Sequence, residues 1–346
     1  MQIYITPEKK ISQFCKPYII AEIGANHNGD MKLARKLISE ASKCGCDAVK
    51  FQSWTLTSVD SEACFQECGT EKEIQKIKDQ VKKYSLNQSQ HKELKKICQE
   101  FNVDFCSTPF SFDEVDMLAE LDVPFFKVAS GDLTYLQLIG YMAEKRKPMV
   151  VSTGMAKLSE IEAAIETIRS KGNNDIILLH CVSLYPPEAS EVNLKTIPYL
   201  NETFGVPCGF SDHSIGIHMP LASIALGASV IEKHFTLDHN MEGWDHAVSA
   251  TPEEMTQIVQ YSNEIQIAIG HKSKTLSPRE VEMRSGFHRS IVASTPLTAG
   301  TILKEKHFAF KRPGTGIKPV EAKYLVGRKL KCDIKFDFPI TWNDIN

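Results

Sequence analysis

Eight short apolar runs rich in β-branched residues recur along the first 270 residues: Tyr18–Ile23, Ala48–Phe51, Val103–Cys106, Phe125–Val128, Met149–Ser152, Ile176–His180, Pro207–Gly209 and Ser229–Glu232. Between them the periodicity changes. Met31–Lys43 and Gln88–Phe101 place Leu, Ile and Ala at three- and four-residue spacing, which marks one apolar helix face. Asp113–Leu121, Ser159–Ser170, Leu194–Glu202 and Met219–Leu226 read the same way. This alternation predicts an α/β fold, a parallel (β/α)8 TIM barrel. Strands covered on both faces explain why the runs are continuously apolar.

Two segments depart from the repeat. Residues 53–86 are an oversized connection after the second strand, and within it Glu71–Lys83 alternates charges and reads as a solvated helix. After Gly270 helical periodicity fades, and residues 271–286 are polar enough to be a linker. Residues 287–346 carry short strands and turns, among them Arg289–Ser294, Leu297–Gly300 and His307–Phe310. The expected organisation is a catalytic barrel over 1–270, a linker over 271–286 and a small module over 287–346. A module of about 60 residues relies on packing against something else.

Composition narrows the partners. Among 346 residues, 40 Lys and Arg face 43 Asp and Glu, a net charge of −3. That balance offers nucleic acid no electrostatic footprint. No apolar run approaches the roughly 20 residues of a membrane span. Met1–Lys16 is polar and broken by charge, so no secretory signal is read there and a cytoplasmic location is expected. Ten cysteines are then expected as free thiols, since neither Cys44/Cys46 nor Cys64/Cys68 completes a zinc-like double pair.

The informative feature is where polar residues fall. Catalytic groups of a parallel barrel sit at the C-terminal ends of its strands. Here the proposed strands end in Glu22, Lys50 with Gln52, Ser107-Thr108, Lys127 with Ser130, Ser152-Thr153, His180 with Ser183 and Tyr185, Ser211-Asp212-His213, and Glu232-Lys233-His234. Lys50 and Gln52, two apart, point to one side. An ammonium turned into a barrel needs an anion, because burying it unpaired is costly. Two such lysines, Lys50 and Lys127, among hydroxyls predict a phosphate site. His213 and His234 close neighbouring strands and are placed to share a divalent ion, with oxygens completing its shell. Glu22 is open to three roles: third ligand, proton acceptor or hydrogen-bond acceptor for a substrate. Asp245 follows strand eight and is expected to face the site. No dinucleotide fingerprint, P-loop or nucleophile elbow occurs.

In order along the chain, Ala21-Glu-Ile-Gly-Ala-Asn-His-Asn-Gly-Asp30, Asp47-Ala-Val-Lys-Phe-Gln52, Ser107-Thr-Pro-Phe110, Lys127-Val-Ala-Ser-Gly131, Val151-Ser-Thr-Gly-Met155, Leu179-His-Cys181 with Tyr185-Pro186, Gly209-Phe-Ser-Asp-His-Ser214, Ile231-Glu-Lys-His-Phe-Thr-Leu-Asp238 and Lys311-Arg-Pro-Gly314 resemble the sialic acid synthases, the bacterial N-acetylneuraminate synthase family with its legionaminic and pseudaminic relatives. The resemblance implies a TIM barrel followed by an antifreeze-like (SAF, β-clip) domain. It implies condensation of phosphoenolpyruvate with an N-acetylmannosamine-type sugar to a nonulosonic acid and phosphate. By position it implies that Lys50, Thr108, Lys127, Ser130, Ser152 and Ser211 hold phosphoenolpyruvate. His213 and His234 would bind a divalent metal, Mn2+ or else Mg2+ or Co2+. Glu22, Gln52, Tyr185 and Asp245 would face the sugar or the reacting centre. In a domain-swapped homodimer, Arg312 would reach the N-acetyl group across the interface.

Two positions depart from the family pattern. Gly243-Trp-Asp-His246 stands where Gly-Pro-Asp-His is frequent, and Ser183 where some relatives have Asn. Trp244 is expected either to reshape the sugar pocket or to pack on the adjacent domain. Both changes leave open a 2,4-diacetamido-2,4,6-trideoxymannose acceptor, giving N,N'-diacetyllegionaminate. Two other classes compete: an aldolase with a phosphorylated sugar acceptor, which would need a second basic cluster, and a sugar-binding or structural protein that keeps a barrel without catalysis.

Overall fold

The computed structural model describes residues 2–67 and 69–346. Met1 and Cys68 lie outside the described residues, and with Cys68 the Cys64/Cys68 spacing. The chain forms two compact units, Met1–Gly270 and His271–Asn346.

The first unit opens with an antiparallel hairpin, β1 (Ile3–Thr6) and β2 (Lys9–Ile11). Eight parallel strands follow: β3 (Tyr18–Gly24), β4 (Ala48–Ser53), β5 (Asp104–Pro109), β6 (Phe126–Val128), β7 (Met149–Ser152), β8 (Ile176–Cys181), β9 (Cys208–Asp212) and β10 (Val230–His234). Their order in the sheet is β5-β4-β3-β10-β9-β8-β7-β6, and β6 comes to lie next to β5, so the sheet is a nearly closed TIM-like barrel. Several strands run further toward their C-terminal ends than hydrophobicity alone suggests. β4 extends to Ser53, β5 to Pro109, β9 to Asp212 and β10 to His234. The ladder needs only backbone groups, so it continues where the side chains turn polar.

Alternation sorts the strand residues into two apolar layers. The outer layer, under the helices, takes Ile19, Val49, Phe51, Phe105, Val151, Leu178, Phe210 and Ile231. The inner layer takes Tyr18, Ile20, Ala48, Cys106, Phe125, Val150, Ile177, Leu179 and Val230. Ile3, Ile5 and Ile11 of the hairpin join the inner layer, so the hairpin stoppers the N-terminal end of the barrel. Gly209 is required where β9 passes its neighbours: an added Cβ would sit 2.4 Å from the Val230 carbonyl oxygen and 2.7 Å from the Leu179 side chain.

The helices are set by side-chain caps. Asp30 accepts from the Lys32 amide at 2.8 Å ahead of Met31–Lys43, and Asn87 from the Gln90 amide at 3.0 Å ahead of Gln88–Glu100. Helices Leu136–Glu144 and Pro252–Ile269 have no counterpart in the periodicity reading. The oversized connection holds helices Glu62–Glu67 and Glu71–Tyr84. The second is exposed along most of its length, as its charges suggest, but Val81 and Tyr84 are buried with Trp54 and Ala25 in a small cluster of their own.

The second unit has its own core of Ile291, Ala293, Leu297, Leu303, Ile317, Leu325, Leu330, Ile334, Ile340 and Ile345. Its regular strands are the antiparallel pair β11 (Ser290–Ala293) and β12 (Phe308–Lys311). The segment expected as a linker carries helix Pro278–Phe287, capped by Ser277 at 3.2 Å from the Glu280 amide. Its exposed Val281, Met283 and Phe287 break the amphipathic pattern a sequence reading depends on.

Candidate active site

Register brings the strand ends together. Lys50 on β4 pairs with Glu22 on β3, and Glu22 pairs with His234 on β10. Glu232 on β10 sits beside Ser211 on β9. Glu22, Lys50, Gln52, Thr108, Lys127, Ser130, Ser152, Ser183, Tyr185, Ser211, His213 and His234 line one cavity of about 330 Å³, within the ordinary range for a small-molecule site. Asp245, from the loop after β10, places Oδ2 3.6 Å from His234 Nδ1. Arg312 belongs to the second unit, where its guanidinium lies over the Phe287 ring and its Nε donates to the Phe287 carbonyl at 3.0 Å.

The floor of the cavity is a buried network of two lysines and two glutamates. Lys50 Nζ lies 2.7 Å from Glu22 Oε2 and donates to Thr108 Oγ1 at 3.0 Å. Lys127 Nζ donates to Ser152 Oγ at 2.6 Å and to the Val128 carbonyl at 2.9 Å. Glu232 stands between the two ammonium groups, 3.8 Å from each, and accepts from Ser211 Oγ at 3.0 Å. Gln52 Nε2 donates to Glu22 Oε1 at 3.2 Å.

Charge is unevenly satisfied in this network. Burial pushes the Glu22 carboxyl up to about 7; Lys50 opposes that rise and Glu232 adds to it. Burial works against the Lys50 ammonium, but Glu22 and Glu232 outweigh it and hold its pKa above the usual value. The same attraction therefore wins at Lys50 and loses to burial at Glu22. Lys127 moves the other way, because burial and the Lys50 charge exceed what Glu232 returns. Its ammonium faces hydroxyl and carbonyl oxygens with its nearest carboxylate at 3.8 Å. Such a group favours an incoming anion.

The imidazoles occupy one side of the cavity. The rings of His213 and His234 are 5.4 Å apart, and Tyr185 packs on both, at 4.1 and 5.9 Å. His213 Nδ1–H donates to the Val182 carbonyl at 2.9 Å, so in the neutral ring Nε2 carries the lone pair; burial lowers the pKa of this imidazole, but Cys181 and the Val182 carbonyl outweigh it and hold it above the ordinary value. Among the described residues, His234 Nδ1 is buried with no hydrogen-bond partner. Burial, His213 and Lys50 hold His234 well below its ordinary pKa, so it is the neutral form that binds metals. Two neutral-capable imidazoles, one with an orphaned nitrogen, fit a divalent cation. Among the described residues no set of three His, Cys, Asp or Glu donors converges on one point. An ion held here would draw its remaining ligands from water or substrate oxygens.

The backbone is tuned around these groups. An added Cβ on Gly154 would meet Ser183 Oγ at 2.3 Å and Ser130 Oγ at 2.7 Å, so only glycine lets the β7 loop approach both hydroxyls. Ser130 Oγ accepts from the Gly154 amide at 3.1 Å. Trp244 stacks on Trp54 at 6.2 Å and meets Tyr84 edge-on at 4.9 Å, so it packs within the barrel unit beside the site, without lining the cavity.

Six lining residues lay outside the sequence-based assignment: Glu232, Cys181, Phe110, Ala129, Gly131 and Met155. Alternation could have found Glu232, which stands two residues before His234 on the same strand face. A larger cavity of about 530 Å³ is lined by residues 53–58 and others, but among the described residues no Lys or Arg lines it and it gathers no comparable set of opposed charges.

Residues 37–274 match the NeuB family and residues 288–346 match the SAF domain. The chain is 41% identical to an uncharacterized protein of Methanocaldococcus jannaschii, covering 95% of this chain and 94% of that one. It is 40% identical to the N,N'-diacetyllegionaminic acid synthase of Campylobacter jejuni, covering 93% and 98%. Among solved structures it is similar to the N-acetylneuraminic acid synthetase of Leptospira borgpetersenii in complex with citrate. That match has 34% identity and a TM-score of 0.73, over 82% of this chain and 94% of that one.

Proposed function

Because this chain belongs to the NeuB family of nonulosonic acid synthases and carries a C-terminal SAF domain, we propose that it condenses phosphoenolpyruvate with an N-acetylmannosamine-type sugar, releasing phosphate and an N-acetylneuraminate-type acid. The observation that carries this reading is the pairing, in one cavity, of two buried ammonium groups with two imidazoles.

Lys50 and Lys127, with Thr108, Ser130, Ser152 and Ser211, bind the phosphate and carboxylate of phosphoenolpyruvate. A new anion competes with Glu22 and Glu232 for the lysines, and enclosure strengthens each contact. His213 and His234 would hold a divalent cation, Mn2+ in this reading, which would supply Lewis-acid polarisation of the sugar aldehyde. Gln52, Tyr185, Ser183 and Asp245 orient the open-chain sugar so that its carbonyl carbon faces carbon 3 of phosphoenolpyruvate. The new carbon–carbon bond leaves positive charge at carbon 2, and the former aldehyde oxygen takes up a proton from solvent water. Water adds at carbon 2, losing its proton to Glu22, whose carboxyl titrates near neutrality. The resulting tetrahedral adduct expels phosphate by C–O cleavage, with the lysines holding the leaving group.

A homodimer completes the proposal, with Arg312 of one copy reaching the sugar on the other. Exposed Met155, Leu184, Tyr185 and Ile215 give the barrel's loop face an apolar rim suited to a second copy. A second acceptor, 2,4-diacetamido-2,4,6-trideoxymannose, is favoured by the similarity to the N,N'-diacetyllegionaminic acid synthase of Campylobacter jejuni, 40% identical over 93% of this chain. The test is a phosphate-release assay with Mn2+ and phosphoenolpyruvate over a panel containing both sugars. Release with N-acetylmannosamine supports the first acceptor, and release with the diacetamido sugar alone supports the second. Folded, Mn2+-loaded protein that releases none with any sugar sinks the enzymatic reading.

A further inference from the structure

The outward face of β9 and β10 presents Cys208, Phe210 and Ile231 to the apolar layer beneath the helices. At the C-terminal end of that same face lie two charged side chains, Asp212 and Lys233, opposite each other in register. Both are almost wholly buried, with Lys233 Nζ 2.6 Å from Asp212 Oδ2. The same ammonium donates to the Ser214 carbonyl at 2.7 Å. The other Asp212 oxygen, Oδ1, accepts from the Ser214 amide at 2.9 Å. One side chain on β10 therefore ties down the residue before His213 and the residue after it. That side chain belongs to Lys233, the residue immediately before His234.

An ion pair in an apolar layer is a poor source of stability, because desolvation consumes most of the attraction and a hydrophobic pair of similar volume serves as well. Its strength lies in fixing geometry. Here three short polar contacts fix the turn that carries one imidazole against the strand that carries the other. Neither charged group lines the cavity. We propose that Lys233 and Asp212 are positioning residues that hold His213 and His234 at the mutual offset needed to share a divalent cation. The inference rests on the metal-binding reading given above and extends it to residues that touch neither metal nor substrate.

The experiment compares the full-length wild-type chain with the double variant Asp212→Asn/Lys233→Met. This variant removes both charges together, so no lone charge is left buried. Three quantities are measured on each: Mn2+ affinity from the free-ion electron paramagnetic resonance signal, thermal unfolding without metal, and the imidazole 15N resonances of His213 and His234 in the metal-free protein. The expected result is a folded variant whose Mn2+ affinity falls about 10- to 100-fold, the range seen when the supporting shell of a metal site is removed. Its imidazole resonances shift, and phosphoenolpyruvate binding at Lys50 and Lys127 is retained. A folded variant with wild-type Mn2+ affinity overturns the proposal. So does a variant that cannot fold, which would assign the pair to stability. If the wild-type protein itself binds no Mn2+, the metal reading fails separately. The imidazole resonances then decide the positioning role: a shift in the variant sustains it and unchanged resonances reject it.

Discussion

Glu22 shows how one carboxyl reports on its surroundings. Its pKa in the fold, about 7, exceeds the ordinary 4.5, so the fold favours the protonated form. The stability this contributes is full below about 4.5 and is lost as pH rises through 7. Glu22→Gln, which cannot ionise, gains on the wild type across that window. Its melting temperature relative to wild type is expected to be higher at pH 8 than at pH 5 by roughly 2–4 °C or more, read by calorimetry. Lys127 tests the other half of the network. Lys127→Ala removes the under-satisfied ammonium but leaves Glu232 its contact with Lys50. Phosphate release is expected to fall roughly 10²–10³-fold or more, while the far-ultraviolet dichroism keeps its barrel signature. At this scale much was legible in the sequence, because polar residues interrupting apolar strands have few explanations. Lys50, Lys127, His213 and His234 stood out in that way. Glu232 did not, since it was read only as the residue that ends a strand, and its role emerges from the distances to lysines on β4 and β6.

At the scale of elements, close approach decides which substitutions the barrel accepts. Gly209→Ala drives a methyl into the Val230 carbonyl across the β9–β10 ladder, where backbone cannot step aside. Overpacking of this kind costs about 1–3 kcal/mol, seen as a lower urea midpoint. Gly154→Ala is different, because its methyl meets the movable hydroxyls of Ser183 and Ser130. The fold is expected to persist while the KM for phosphoenolpyruvate rises about tenfold or more, since Ser130 must turn away. The same physics explains what periodicity missed. Helix Leu136–Glu144 buries Leu138, Ile139, Gly140, Met142 and Ala143, so little polar face remains to mark a period. Helix Pro252–Ile269 buries only Met255, Ile258 and Ser262, so its apolar face is too narrow to stand out. The strands were found readily, but their ends were drawn short because pairing persists through polar residues.

At the scale of the molecule, two units with separate cores divide the proposed chemistry, with the lysines and imidazoles in one and Arg312 in the other. A domain-swapped dimer makes a distinctive prediction. Lys127→Ala and Arg312→Ala chains, each inactive alone, regain phosphate release when unfolded together and refolded as a mixture. Each hybrid then contains one site with Lys127 from one copy and Arg312 from the other. No recovery in mixtures shown to contain hybrids means that Arg312 does not act across an interface. The alternation of strands and helices was enough to foresee a barrel. The N-terminal hairpin was not foreseen, because Ile3, Ile5 and Ile11 acquire meaning only as the inner layer's end cap. That cap has a kinetic consequence. In the proposed condensation a barrel stoppered at its base is a blind well, so phosphoenolpyruvate on the lysine floor is expected to bind before the sugar and phosphate to leave after the nine-carbon acid, an order that product-inhibition kinetics would show.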